Sequence, residues 1–192
     1  MKIDGPSDMD LIISFSRGDE NAFRELYNRY KKLLYGYLNN MIPGNPCEAD
    51  EVFAETWTKV IEKLPKYRDD GKFSAWLFRM AHNIFIDRLR RNKPEKFIQI
   101  DAEDSPDIPD ERPASPVQDA ENADLKKMID AALASLPPEQ REVFLLREQE
   151  MSFKEIAAVQ NCSQNTALSR MQYALKALRK FLSVIDNGGL IK

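Results

Sequence analysis

An all-α fold in two small bodies joined by a flexible acidic, proline-rich linker is what three features of the sequence predict. Apolar residues recur at helical spacing, no segment alternates with the two-residue period of a half-buried strand, and one central stretch is almost devoid of apolar side chains. Between Asp101 and Asp124 that stretch carries Asp101, Glu103, Asp104, Asp107, Asp110, Glu111, Asp119, Glu121 and Asp124 against Arg112 alone, with Pro106, Pro109, Pro113 and Pro116 interspersed. Prolines break helices and strands, like charges repel, and too little apolar surface is present to offset the entropy of ordering. The expected organisation is a first body over 1–97, a linker over 98–122, a second body over 123–185 and a tail over 186–192.

In the first body, Ser7 to about Arg17 reads as a helix. A second follows from Glu20 to Asn40, where Phe23, Leu26, Tyr27, Tyr30, Leu33, Leu34, Tyr37 and Leu38 form a core-facing stripe. Pro43-Gly44-Asn45-Pro46 breaks the chain, and a third helix runs from about Cys47 to Leu64, ended by Pro65. After the loop Tyr67 to Lys72, a fourth helix spans Phe73 to about Asn92 and stops before Pro94. In the second body, helices are expected over about Ala123–Ser135, Pro138–Glu148, Ser152–Gln160 and Ser163 to about Val184. Pro138 suits a first helical turn, Ser152 and Glu155 have capping-box spacing, and Ser163 can cap the last helix.

Composition narrows the function classes. With 43% hydrophobic and 31% charged residues and no apolar run near the ~20 residues of a membrane-spanning helix, the chain reads as soluble, and without a visible secretory signal the cytoplasm is the expected location. The net charge of −3 conceals a segregation, because the acidic stretch masks two basic flanks. Cys47, Cys162 and the single His82 are too few and too scattered for a zinc site, and the two cysteines read as small, partly buried residues. No glycine-rich phosphate loop or nucleophile–base pair is visible, so neither a cofactor nor enzymatic chemistry is expected.

Two segments point to nucleic acid. A helix near Phe153, a break at Asn161-Cys162-Ser163 and a longer helix opening with small polar residues have helix-turn-helix spacing. Ser163 caps the second helix, Gln164, Asn165, Thr166, Leu168 and Ser169 face outward near its start to meet base edges in a major groove, and Arg170 would hold a phosphate. In the first body, the third helix is acidic at Glu48, Asp50, Glu51 and Glu55, while the fourth is basic at Arg79, Arg88, Arg90 and Arg91, with Tyr67, Phe73, Trp76, Phe78 and Phe85 among the basic side chains or just before them. Cations that track a backbone beside aromatic walls suit single-stranded DNA, with Asn83 and the loop from Tyr67 placed for base contact. Trp76, Leu77, Met80 and Ile84 read as core.

The ordered set Gly18-Asp19-Glu20-Asn21-Ala22-Phe23, Ala49-Asp50-Glu51-Val52 and Phe73-Ser74-Ala75-Trp76-Leu77 with Asn83, Asp87, Arg88 and Arg90-Arg91 resembles the sigma-2 domain of extracytoplasmic-function sigma factors. Leu133, Leu136-Pro137, Arg141, Ser152 to Ala157, Thr166 to Met171, Ala174 and Leu178-Arg179 are similar to that family's sigma-4 domain. The resemblance implies a factor that binds core bacterial RNA polymerase, directs it to promoter DNA and helps melt the minus-ten region. Asp50, Glu51 and Glu55 would dock on the clamp helices of the largest subunit. Tyr67, Arg79, Asn83, Arg88, Arg90 and Arg91 would engage the minus-ten element, and Ser163 to Arg170 the minus-thirty-five element. Apolar patches of the second body would meet the polymerase flap, and an anti-sigma factor is a candidate partner. Ala54, in the polymerase-docking helix, stands where the family often has Gln, and Leu168 stands where it usually has Lys; the second departure implies an altered promoter preference. The alternative is a stand-alone helix-turn-helix regulator that never touches polymerase, a reading that leaves the first body unexplained.

Overall fold

A computed structural model describes residues 5–68, 72–92 and 119–187. The described residues form α-helices, a single 3-10 turn at Leu64–Lys66 and no strand. The first body holds α1 (Asp8–Ser16), α2 (Glu20–Met41), α3 (Pro46–Lys63) and α4 (Phe73–Asn92), and the second holds α5 (Asp119–Ala134), α6 (Pro138–Glu148), α7 (Phe153–Val159) and α8 (Gln164–Asn187).

Local chemistry sets the helix ends. Ser7 and Asp10 close a capping box at α1, with Asp10 N–H donating to Ser7 Oγ at 3.2 Å and Ser7 N–H donating to Asp10 Oδ2 at 2.9 Å. The turn out of α1 needs Gly18 at φ 97°, a left-handed conformation that costs glycine little. Asp19 then caps α2, and Asn45 caps α3 with Pro46 in its first turn. Thr56, buried in the middle of α3, satisfies its hydroxyl by donating to Val52 O at 2.6 Å.

Leu26, Leu34 and Leu38 on α2, Val52 and Val60 on α3 and Leu77 and Phe78 on α4 make the fully buried centre of the first body. An aromatic cluster closes one side, with Trp57 4.8 Å from Tyr27 and 5.9 Å from Phe23 between ring centroids. Asp8 ties α1 to α2 by accepting from Arg29 at 2.5 Å and from the Tyr30 hydroxyl.

The second body turns on Arg141, whose side chain is buried although it carries a charge. Its guanidinium donates to Leu133 O at 2.7 Å, Ala134 O at 2.8 Å and Leu136 O at 3.0 Å. Carbonyls at the end of α5 thereby gain a charged donor, Leu133 O in addition to the 3.1 Å bond it accepts from Leu136 N–H, and α6 is fixed against that end. A fourth bond, to Asn40 O at 3.2 Å, reaches α2 of the first body.

The helix content agrees with the sequence reading, with shifted ends. α5 starts at Asp119, inside the stretch read as linker. α8 continues to Asn187, past the expected end near Val184. Most of the expected linker, positions 69–71 of the loop before α4 and the last residues of the tail lie outside the described residues. Cys162 is partly buried as expected, but Cys47 is exposed because it falls in the first turn of α3, ahead of the buried Ala49 and Val52.

The two bodies expected from the sequence are in contact. α4 packs on α7 and α2 on α6, and one buried apolar cluster runs through both bodies. Arg141→Ala is expected to lower stability by on the order of 3 kcal/mol, because several buried carbonyls lose a charged donor at once. Urea unfolding followed by circular dichroism measures it, and a loss under ~1 kcal/mol would show that water replaces the guanidinium.

Candidate nucleic-acid interface

The acidic third helix and the basic fourth meet side by side. Arg88 Nη1 donates to Glu51 Oε2 at 2.5 Å, while its Nε and Nη2 both donate to Glu55 Oε2, at 3.1 and 2.9 Å. Lys59 adds a bond to Glu55 Oε1 at 2.9 Å. The Lys59 and Arg88 contacts together outweigh partial burial and hold the Glu55 carboxyl below its ordinary range. Arg88 therefore faces α3, although the sequence groups it with the other basic residues of α4. The reason is helical phase: at about 100° per residue, Arg88 lies roughly opposite Arg79.

Arg79, Asn83 and Arg90 do share a face, lying within about 40° of one another, and all three are exposed. Arg91 is also exposed, and Arg90 is 3.7 Å from Asp87. At the other end of α4, the half-buried Tyr67 ring stands edge-on to Trp76 at 5.1 Å and to Phe73 at 5.9 Å, so the three rings form an aromatic shelf. On α3, Asp50 is exposed and Glu51 largely so.

In the second body the turn between α7 and α8 is built at Asn161, whose φ of 50° suits an asparagine. Cys162 N–H returns to Ala157 O at 3.0 Å, and Ser163 Oγ accepts from Thr166 N–H at 3.0 Å to cap α8. Ala167 of α8 is buried together with Ile156 and Ala157 of α7, which turns Gln164, Asn165, Thr166 and Ser169 to solvent, with Leu168 partly covered. This polar, exposed first turn and a half is the surface a recognition helix presents to base edges. Arg170 Nη1 donates to Gln160 Oε1 at 3.0 Å, which ties α8 to the end of α7.

Sequence reasoning missed the polar centre between the bodies. Glu142 on α6 is 2% exposed, and its Oε1 accepts from the Tyr37 hydroxyl at 2.5 Å and sits 2.7 Å from His82 Nδ1. Gln160 donates to its Oε2 at 2.9 Å. Burial pushes the Glu142 carboxyl up, but the bonds from His82, Tyr37 and Gln160 together outweigh it and hold it below the ordinary 4.5. Burial and the facing carboxylate push the Tyr37 phenol well above its ordinary value, so it remains a donor. One signal was available, since Glu142 precedes the buried Leu145 and Leu146 by three and four residues and so puts a charge on an apolar face.

Comparison with known proteins follows the same division. Sigma-70 region 2 matches residues 26–95, and Sigma-70, region 4 matches residues 126–178. The chain is 27% identical over 177 residues to the ECF RNA polymerase sigma factor SigW of Bacillus subtilis, covering 89% of this chain and 94% of that one. It is 29% identical over 181 residues to the RNA polymerase sigma-H factor of Pseudomonas aeruginosa, covering 91% and 93%. In fold it is similar to CnrH, solved in complex with the cytosolic domain of CnrY, at a TM-score of 0.65 and 24% identity over 93% of this chain and 99% of that one. It is also similar in fold to the sigma factor RpoE of Bartonella quintana, solved with the anti-sigma factor NepR, at a TM-score of 0.62 and 22% identity over 84% and 97%.

Two measurements check this geometry. A double-mutant cycle with Arg88→Ala and Glu55→Ala should return a coupling of about 0.5–1 kcal/mol, the size expected of a partly exposed pair, and zero coupling would detach α4 from α3 at this point. Glu55 and Glu142 bind their protons less readily in the folded chain than in the unfolded one. Their contribution is therefore complete above about pH 5 and is lost as pH falls through the ordinary 4.5 and below. The unfolding midpoint should drop between about pH 5 and pH 3, less steeply in Glu142→Gln, and an equal slope in both chains would remove Glu142 from the balance.

Proposed function

Because the chain belongs to the sigma-70 family, with region 2 in its first body and region 4 in its second, we propose that it acts as an extracytoplasmic-function sigma factor, the subunit that brings bacterial RNA polymerase to its promoters. The observation that carries this reading is the ordered pair of regions on the two helical bodies. A stand-alone regulator would need only α7 and α8, whereas here region 2 occupies most of the first body.

The division of labour follows the exposed surfaces. Asp50 and Glu51 on α3 offer carboxylates to the clamp helices of the polymerase's largest subunit, with Glu55, held by Arg88 and Lys59, set behind them. The face of Arg79, Asn83 and Arg90, with Arg91 and the shelf from Tyr67 to Trp76, engages the minus-ten element: cations follow the displaced strand and an aromatic wall receives an unstacked base. Unstacking costs a few kcal/mol and stacking returns about 1–3 kcal/mol per base, so opening needs binding energy and no nucleotide hydrolysis by this chain. Gln164, Asn165, Thr166 and Ser169 read the minus-thirty-five element, with Leu168 offering apolar contact to a thymine methyl.

Arg88 and Arg170 act differently. Each is committed to internal bonds, Arg88 setting the α3 carboxylates against α4 and Arg170 fixing the angle of the helix-turn-helix. An anti-sigma factor is the natural regulatory partner, and the cytoplasm, where polymerase works, is the site of action. No described helix is long and apolar enough to cross a membrane.

The test is run-off transcription with core polymerase and a pool of genomic promoter fragments. Transcripts that require this chain and share a two-part upstream motif support the reading, while tight duplex binding with no transcripts and no polymerase binding supports the stand-alone regulator. Within the active system, Gln164→Ala or Thr166→Ala should change upstream sequence preference and leave core affinity near wild type. Glu51→Lys should weaken core binding by roughly tenfold through charge reversal at a rim contact, and equal affinity would take Glu51 out of the docking surface.

A further inference from the structure

The bonds around Glu142 form a continuous path from the recognition helix to the first body. Arg170 on α8 donates to Gln160, Gln160 donates to Glu142, and Glu142 accepts from Tyr37 on α2 and from His82 on α4. Both first-body partners converge on one carboxylate oxygen, and Arg141 adds a parallel bond to Asn40 O. A buried carboxylate is tolerated only when paired, and in the second body alone Glu142 keeps Gln160 as its partner. The contact between the bodies is therefore a specific, directional lock and not a chance meeting of apolar faces.

We infer that the Tyr37–Glu142–His82 cluster is a latch that holds this chain, without any partner, in a closed state unable to read a two-part promoter, so that release of the latch is a step in its activation. The inference rests on the sigma-factor reading above. It follows from size. The minus-ten and minus-thirty-five elements lie about 25 base pairs apart, ~85 Å along the duplex at ~3.4 Å per step. Two bodies of this size in contact, each with a radius of gyration near ~12 Å, place their centres only about 25–30 Å apart. The chain between them can supply the difference, since residues 93–118 would reach up to roughly 90 Å if extended.

The latch also has a handle. Arg170 belongs to the recognition helix and bonds to Gln160, which bonds to Glu142, so a phosphate that drew Arg170 away would loosen the same path. Because only the open fraction binds core polymerase and promoter together, the closed state lowers apparent affinity by that fraction.

The full-length chain and two variants decide the matter. Tyr37→Phe removes one hydroxyl and keeps the ring that packs on Phe78 at 5.1 Å, and His82→Ala cuts the second bond from a different helix. Small-angle scattering gives the size of each chain, circular dichroism its helix content, and titration with core polymerase its affinity. The expected result is unchanged helix content, a larger radius of gyration in both variants, and core affinity about tenfold higher than wild type, the change for one bond to a buried charge when the closed state dominates. Variants as compact as wild type would overturn the latch, and variants that open without gaining affinity would overturn its role in activation. If neither wild type nor variants bind core polymerase, the sigma-factor reading falls and the activating role with it. Scattering still decides separately whether the cluster holds the bodies together.

Discussion

Small helical bodies have too much surface for their volume, and that constraint shapes this molecule. A body of ~60 residues buries only about 60% of the surface its unfolded chain exposes, which leaves its stability marginal. The two bodies here meet that constraint by sharing an apolar interior, α4 against α7 and α2 against α6. Apolar packing is indifferent to register, however, and the polar cluster at Glu142 supplies what packing lacks. A carboxylate removed from water accepts only an arrangement that brings Tyr37, His82 and Gln160 to it together.

Electrostatics within the first body answer a different problem. α3 gathers carboxylates and α4 gathers guanidiniums, and if every charge were spent on its neighbour nothing would remain for a partner. Helical phase divides them. Arg88 turns inward to Glu51 and Glu55, while Arg79, Asn83 and Arg90 turn away to an exposed face. One helix thus serves at once as a structural clamp and as a charged surface.

The fold was largely legible in the sequence because helices announce themselves locally: the apolar stripe of α2, the capping pair Ser152 and Glu155, and the prolines at 46 and 138 all act within a turn or two of chain. The outward face at the start of α8 was legible for the same reason, since Ala167 is buried with Ile156 and Gln164 to Thr166 are left exposed. What could not be read were contacts between distant residues. Tyr37 sits in a stripe that periodicity marks as core, and periodicity cannot say that its hydroxyl meets a carboxylate more than a hundred positions away. Arg88 looked like a neighbour of its basic companions because sequence proximity hides helical phase, and it is spent on Glu51 and Glu55.

The guanidinium of Arg141 constrains how this sequence can drift. Its bonds to Leu133, Ala134, Leu136 and Asn40 fan out from one planar group, and a lysine, with a single charged point on a flexible stem, cannot meet carbonyls spread over that arc. Position 141 is thus closed even to the substitution that preserves charge, whereas exposed positions of the same helix, such as Glu148, can vary under little restraint. The end of one helix, the start of the next and the edge of the other body inherit their geometry from a residue whose chemistry has no substitute among the remaining amino acids.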